Sequence, residues 1–243
     1  MKKNPHWFRK FFLSRNSNAS RKDIYFDDKA FRVFCISIQR TGTTSVGKFL
    51  HDFGFAWAGW LQSGLNNWPW LHYEGNYEKI FASDDFRQAN AFEDSPWWYP
   101  GFYKVIYHRF PNSKFVLFTR DPDAWFGSML KHSGGNVLGA MMVHSKNYRR
   151  EKEFFQLLQA GKISYNESIR LDGDKMMKLY GLDEHYKEIY RLHTTEVVNF
   201  FNRNNPSALF RARLEDEQKW VSLGKFLGIE VPPDYKSHEN ASK

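Results

Sequence analysis

Cysteine is almost missing from this chain: Cys35 is the one example among 243 residues. A disulfide within the chain is excluded, and a reducing, cytoplasmic compartment is the expectation. Cys35 stands among Val33, Phe34 and Ile36 with no cation placed beside it, so buried packing is expected of it rather than thiol reactivity. Long apolar runs are missing as well. No window approaches a membrane span, and the apolar run near the start is too short for a secretory signal. Asn18, Asn166 and Asn240 open glycosylation-type triplets, which are discounted without such a signal. Acid is absent from residues 1–22, which carry Lys2, Lys3, Arg9, Lys10, Arg15, Arg21 and Lys22. Setting these seven aside leaves 28 bases against 27 acids, so all but one of the eight net positive charges belong to the opening segment. A general nucleic-acid-binding face is therefore not implied. Residues 1–28 read as a basic arm: a tail, or alternatively a peripheral anchor for anionic lipid. Nucleic-acid binding through the arm would show salt-sensitive affinity that vanishes on deleting residues 1–22.

What the chain has in quantity is aromatic residues, 18% of the total, including nine Trp and 23 Phe. They imply core and groove packing first and ring stacking second. The length suits one sizeable α/β domain, residues 29–243, and no internal repeat is present. Its centre is Phe31 to Leu50. Val33, Phe34, Cys35, Ile36 and Ile38 suit a strand buried on both faces. Val46, Phe49, Leu50 and Phe53 then recur with helical spacing. The turn between them, QRTGTTS, aims backbone N–H groups and a helix N-terminus at one spot, which favours an anion, commonly a phosphate.

Further along, Phe53 to Trp70 is rich in Gly and Trp. It reads as a short strand and an irregular loop, either a wall of an acceptor groove or an aromatic mini-core. Asn76 to Gln88 predicts one helix. Asn90 to Pro96 predicts a short strand ending on Glu93 and Asp94, with Pro96 blocking its continuation. Tyr99 to Phe110 predicts a helix and Pro111 to Lys114 a turn. Lys114 to Thr119 is a second buried strand, followed by Arg120-Asp121-Pro122 and a helix through Trp125, Phe126, Met129 and Leu130. His132 to Asp172 reads as a lid or cap. Leu182 to Asn204 predicts a long helix, Ala208 to Leu214 a strand, and Lys219 to Leu227 a closing helix capped by Gly228. Strands alternating with helices imply a three-layer α/β fold with a central parallel sheet.

Gly42 to Lys48 fits the spacing G-x-x-x-x-G-K of an ATP-binding loop, but Phe49 stands where a magnesium-binding Ser or Thr belongs. Gly47 and Lys48 also fall inside the predicted helix, too late to be loop. The strand ending at Thr119 offers no clear metal-holding acid. An ATP·magnesium kinase is therefore the second choice.

QRTGTTS resembles the phosphosulfate loop of PAPS-dependent sulfotransferases, whose usual form is P-K-x-G-T-T. FVLFTRDPDAWFGS resembles that family's 3′-phosphate element, in which Arg ends a strand and Ser follows eight residues later, here Arg120 and Ser128. KWVSLGKFLGIEVPPDYKSHEN resembles its closing helix and tail. The resemblance runs from Phe31 to Asn240 and implies a P-loop-type α/β fold. It also implies metal-independent transfer of a sulfuryl group from PAPS, as co-substrate, to a hydroxyl or amine of a small molecule or glycan. On this resemblance Arg40 takes the place of the loop lysine and Gln39 that of the proline. Thr41, Gly42, Thr43, Thr44 and Ser45 would bind the phosphosulfate, with simple helix capping the plainer reading of the hydroxyls. Arg120 and Ser128 would bind the 3′-phosphate. Glu93 or Asp94 is the candidate general base, against helix capping by Asp94 or Ser95. Lone histidines are expected to be structural or exposed. A sulfotransferase-like binding protein that has lost catalysis, marked by Arg40, is the non-enzyme alternative.

Overall fold

Val33, Phe34 and Cys35 are fully buried and form β1 (Val33–Cys35), the central strand of a five-stranded sheet. In a computed structural model the chain is described over residues 30–163 and 177–237. After β1 come α1 (Thr43–Asp52), β2 (Trp57–Ala58), α2 (Trp60–Leu65), α3 (Trp68–Tyr73), α4 (Tyr77–Ala82), α5 (Asp84–Gln88) and β3 (Ala91–Phe92). The chain continues through α6 (Phe102–Arg109), β4 (Lys114–Thr119), α7 (Pro122–Ser133), α8 (Met141–Asn147) and α9 (Glu151–Gln159). It closes with α10 (Asp183–Asn204), β5 (Leu209–Arg213) and α11 (Lys219–Leu227).

All strand pairs are parallel, in the order β2-β3-β1-β4-β5. From β1 the chain crosses to the edge strand β2, comes back to place β3 beside β1, and then adds β4 and β5 on the other side. The reversal lies between β1 and β4, and the crevice at the carboxyl ends of two such strands is where open α/β sheets bind ligands.

Alternation along β1 sends its side chains to two cores. Val33 and Cys35 pack with Val46, Phe49 and Leu50 of α1 and with Trp220 and Leu223 of α11. Phe34 faces the larger core, its ring stacked on Phe92 at 4.8 Å and packed against Trp97 at 5.3 Å. Helices α3 to α10 supply the rest of that face. Burying each such ring contributes roughly 1.5–3 kcal/mol. The aromatic abundance is thus mainly core, as expected. So is Cys35: burial pushes its thiol up to about 12, removing thiolate reactivity at neutral pH.

The closing helix and its Gly228 cap (φ 73°) stand where the sequence places them. Three segments differ. Past β2, Phe53 to Trp70 is not an irregular loop: it folds into α2 and the start of α3, because Trp68 buries fully and meets Trp97 edge-on at 5.3 Å. The helix expected over Asn76 to Gln88 breaks at Ser83, whose extended backbone (ψ 145°) separates α4 from α5. Ser83 Oγ donates to Ile80 O at 2.7 Å and accepts from Trp68 Nε1 at 3.0 Å, so a tertiary contact fixes the break. The helix expected from Tyr99 begins at Phe102, after the left-handed Gly101 (φ 77°). Readings of the arm at 1–28 and of Asn18, Asn166 and Asn240 fall outside the described residues, as does 164–172 of the lid. No helix among the described residues is long and apolar enough to cross a membrane.

Candidate active site

The turn after β1 is built from the backbone outward. Ser37 Oγ accepts from Phe118 N–H at 2.7 Å and donates to Val116 O at 3.3 Å, extending the β1–β4 seam past the end of β1. Thr41 is fully buried, with its hydroxyl donating to Ile38 O at 2.5 Å, which closes the turn. Arg40 and Gly42 both take left-handed backbone, φ 68° and φ 81°. For Arg40 that conformation costs about 1 kcal/mol or more. At Gly42 an added Cβ would also lie 2.6 Å from Leu214 Cδ1, a side-chain tip that could shift, so it is the left-handed backbone that calls for glycine. Gly42 is the N-cap residue of α1, and no side chain caps that helix. Thr43, Thr44 and Ser45 therefore sit in the first turn of α1 and not at the cap position itself. An uncapped helix N-terminus of this kind favours an anion.

The second strand–turn–helix unit reaches the same place. Pro122 opens α7, and Asp121 caps it by accepting from Asp123 N–H and Ala124 N–H, both at 3.0 Å. Arg120, between β4 and that cap, is held through its main chain: its N–H donates to Tyr190 Oη at 2.9 Å, and Tyr190 Oη donates back to Arg120 O at 3.1 Å. The Arg120 guanidinium donates from Nη1 to Arg40 O at 3.3 Å. Arg40 in turn donates from Nε to Ser128 Oγ at 3.3 Å, eight residues along from Arg120. Trp125 Nε1 donates to Gln39 O at 2.9 Å, and Gln39 Nε2 donates to Tyr148 Oη at 3.0 Å. Burial, and then the like charge of Arg120, push the Arg40 guanidinium down from its ordinary value. His132, one turn beyond Ser128, is pushed down by burial and by the charge of Arg40. The site has a surplus of positive charge.

The end of β3 supplies the carboxylates. Glu93 is fully buried and neither carboxylate oxygen has a hydrogen-bond partner of ordinary geometry. Burial, then the charge of Asp94, raises its carboxyl well above the usual range, opposed by the Trp60 N–H and the Thr43 hydroxyl. Asp94 is half-buried, takes left-handed backbone (φ 70°), and accepts from Ser95 N–H at 2.6 Å and Ser95 Oγ at 3.0 Å. Burial raises its carboxyl too, and the two Ser95 bonds oppose this.

Ser128, Arg120 and the loop at 40–45 are thus brought into one cluster, and the helix that follows the loop packs against Glu93 at Gly47. Lys48 is not part of the cluster: it lies on α1 and pairs with Asp52 one turn along. His144 and His193 are structural, as expected of lone histidines. Both are buried, His193 Nε2 lies 3.0 Å from Ile36 O, and burial pushes their rings down to about 3 and about 4. Among the described residues no group of three His, Cys, Asp or Glu could hold a metal ion. Sequence reasoning missed Tyr190, Leu214 and Glu215. Tyr190 reads as one more member of a helical apolar stripe, and only the β4–β5 register brings Leu214 against Gly42 and Glu215 to 3.9 Å from Arg120.

The fold and this cluster define an α/β protein in which a glycine turn at the carboxyl edge of a parallel sheet opens a helix beside two arginines. The family described as "Sulfotransferase domain" matches residues 32–243, and the chain belongs to it. No curated protein matches the chain.

Proposed function

We propose that the protein transfers a sulfuryl group from PAPS to a hydroxyl or amine of a small molecule or glycan, without a metal. The observation that carries the reading is the meeting of Arg40 and Arg120. They come from separate strand–turn–helix units, and Arg120 hydrogen-bonds the main chain of Arg40. Two adjacent guanidiniums beside an uncapped helix N-terminus suit a ligand with two anionic groups.

In this reading the main-chain N–H groups of Gly42, Thr43 and Thr44 receive the 5′-phosphosulfate, with the hydroxyls of Thr43, Thr44 and Ser45 and the Arg40 fork. Thr41 shapes the turn, its own hydroxyl being engaged with Ile38 O. Arg120 and Ser128 receive the 3′-phosphate. In its ionised form the Glu93–Asp94 pair takes the proton of the acceptor, and a carboxylate whose value is raised is then a stronger base than an ordinary one. The acceptor oxygen or nitrogen attacks sulfur as the bond from sulfur to the bridging oxygen breaks. Arg40 and the N–H groups meet the charge that develops on that oxygen, leaving adenosine 3′,5′-bisphosphate. Arg40 acts as a fixed charge, because a guanidinium does not give up a proton.

Residues 29–243 act as the single catalytic domain, cytoplasmic in this reading, and the arm is a basic tail, with peripheral membrane contact the alternative and no specific nucleic-acid binding. Calorimetry tests the donor: adenosine 3′,5′-bisphosphate should bind without metal and more tightly than ATP with magnesium. A preference for ATP·magnesium would replace this reading with a kinase. Bisphosphate binding with no sulfated product across a broad acceptor panel would leave a binding protein.

A further inference from the structure

The β4–β5 register pairs Thr119 with Arg213. The pairing runs on past the strands, with Leu214 N–H donating to Thr119 O at 2.6 Å. Consequently Leu214 packs over Gly42 while the next residue, Glu215, comes to the guanidinium of Arg120. Glu215 Oε1 lies 3.9 Å from Arg120 Nε, a buried donor with no hydrogen bond of its own. The other oxygen, Oε2, lies 3.5 Å from Nε of the exposed Arg213. One carboxylate therefore stands between two guanidiniums, too far from Arg120 for a hydrogen bond and close enough for attraction.

Building on the donor reading above, we propose that Glu215 tempers the affinity of the donor site for a 3′-phosphate as the resident counter-ion of Arg120, displaced onto Arg213 when that phosphate arrives. A half-exposed ion pair is weak, so its exchange for a phosphate dianion at the same guanidinium is favourable. Arg213 keeps the displaced carboxylate paired. Glu215 then moderates donor affinity: a nucleotide without a 3′-phosphate leaves the pair in place and gains nothing from Arg120, whereas a 3′-phosphate must outcompete the carboxylate and so binds less tightly than it would to a bare Arg120.

The test is calorimetry of adenosine 3′,5′-bisphosphate and of adenosine 5′-monophosphate on the whole chain and on Glu215→Gln, with Glu215→Ala as a second variant. Removing a like charge beside the phosphate should tighten the bisphosphate by roughly five- to tenfold. The monophosphate should be unchanged, and the gain should shrink in high salt. Equal tightening of both nucleotides, or unchanged or weakened bisphosphate binding in both variants, overturns the proposal. Should the unaltered protein fail to prefer the bisphosphate over the monophosphate, the donor reading fails and the role of Glu215 falls with it. A preference kept by the protein but unaltered in the variants sinks Glu215 alone.

Discussion

Arg40 and Ser128 are 88 residues apart in sequence, and Arg40 Nε donates to Ser128 Oγ at 3.3 Å. The contact joins the turn after β1 to the helix after β4, across the reversal in strand order. It also makes the proposed 5′ and 3′ subsites share a hydrogen bond, so neither residue should act alone. Arg40→Ala should weaken adenosine 3′,5′-bisphosphate by at least about tenfold, the scale of a lost charge-assisted bond. Arg40→Lys should recover part of this, since lysine restores the charge without the planar fork. Ser128→Ala should cost less, and less still when Arg40 is already alanine. Additive losses in the double variant, read by calorimetry, would show that the two sites are uncoupled.

Glu93 gives a prediction with a sign in pH. Its carboxyl is raised well above the ordinary 4.5, so the folded protein holds that proton more tightly than the unfolded chain does. As pH rises through 4.5 the unfolded chain ionises first, and stability falls from there up to the raised value. Glu93→Gln removes this loss. The melting temperature of the variant should therefore gain on that of the unaltered protein between pH 5 and pH 8, while turnover drops by roughly a hundredfold or more if Glu93 carries the proton. A difference in melting temperature that is the same at both pH values would show that burial does not hold Glu93 neutral.

Much of this was legible in the sequence where the signal is local. Lys114 to Thr119 is a continuous apolar strand, and Lys219 to Leu227 ends on a glycine that the structure places in left-handed backbone. The start of α1 at Thr43 was also readable from apolar spacing, and it takes Lys48 out of the loop. What was not legible depends on contacts distant in sequence. Ser83 ends a helix because the Trp68 indole bonds to it, and Tyr190 steadies Arg120 from 70 residues away. Glu93 and Asp94 are neighbours of like type, yet one is fully buried and the other half-buried. Strand period and burial decide that difference, and residue type does not.

Gln39 connects the turn to the segment expected to form a cap. Its Nε2 donates to Oη of the fully buried Tyr148, whose ring lies 4.4 Å from His144 on α8. Tyr148→Phe strands the Gln39 amide near Met129 Sδ at 4.0 Å, a weak acceptor. An unsatisfied donor of this kind costs about 1–3 kcal/mol, part of which should appear as a turn that holds Arg40 less firmly. Bisphosphate affinity should fall by roughly three- to tenfold. In a Gln39→Leu background the same Tyr148→Phe change should have no further effect on affinity. A loss of equal size in both backgrounds would mean that Tyr148 acts by packing and not through Gln39.

Gly47 separates two meanings of a helical glycine. In an exposed helix interior Gly→Ala stabilises by about 0.8–1 kcal/mol, because alanine loses less backbone freedom. Gly47 is buried on α1, and an added Cβ would stand 2.6 Å from Trp57 Nε1 and 2.9 Å from Glu93 Cγ. Both neighbours belong to the buried wall behind the turn, and neither is the loose end of a flexible chain. Overpacking of this sort costs about 1–3 kcal/mol, which exceeds the helix gain. Gly47→Ala should therefore lower the melting temperature, reversing the sign expected from propensity. Gly54→Ala is no control, since Gly54 has left-handed backbone (φ 87°). Gly64→Ala is one, because no atom lies within 4 Å of its added Cβ and its backbone is not left-handed. Because Glu93 is one of the two groups displaced, Gly47→Ala should also lower turnover more than it weakens bisphosphate binding. Stabilisation by Gly47→Ala equal to that by Gly64→Ala would show that Trp57 and Glu93 yield freely, and that the wall behind the turn is not rigid.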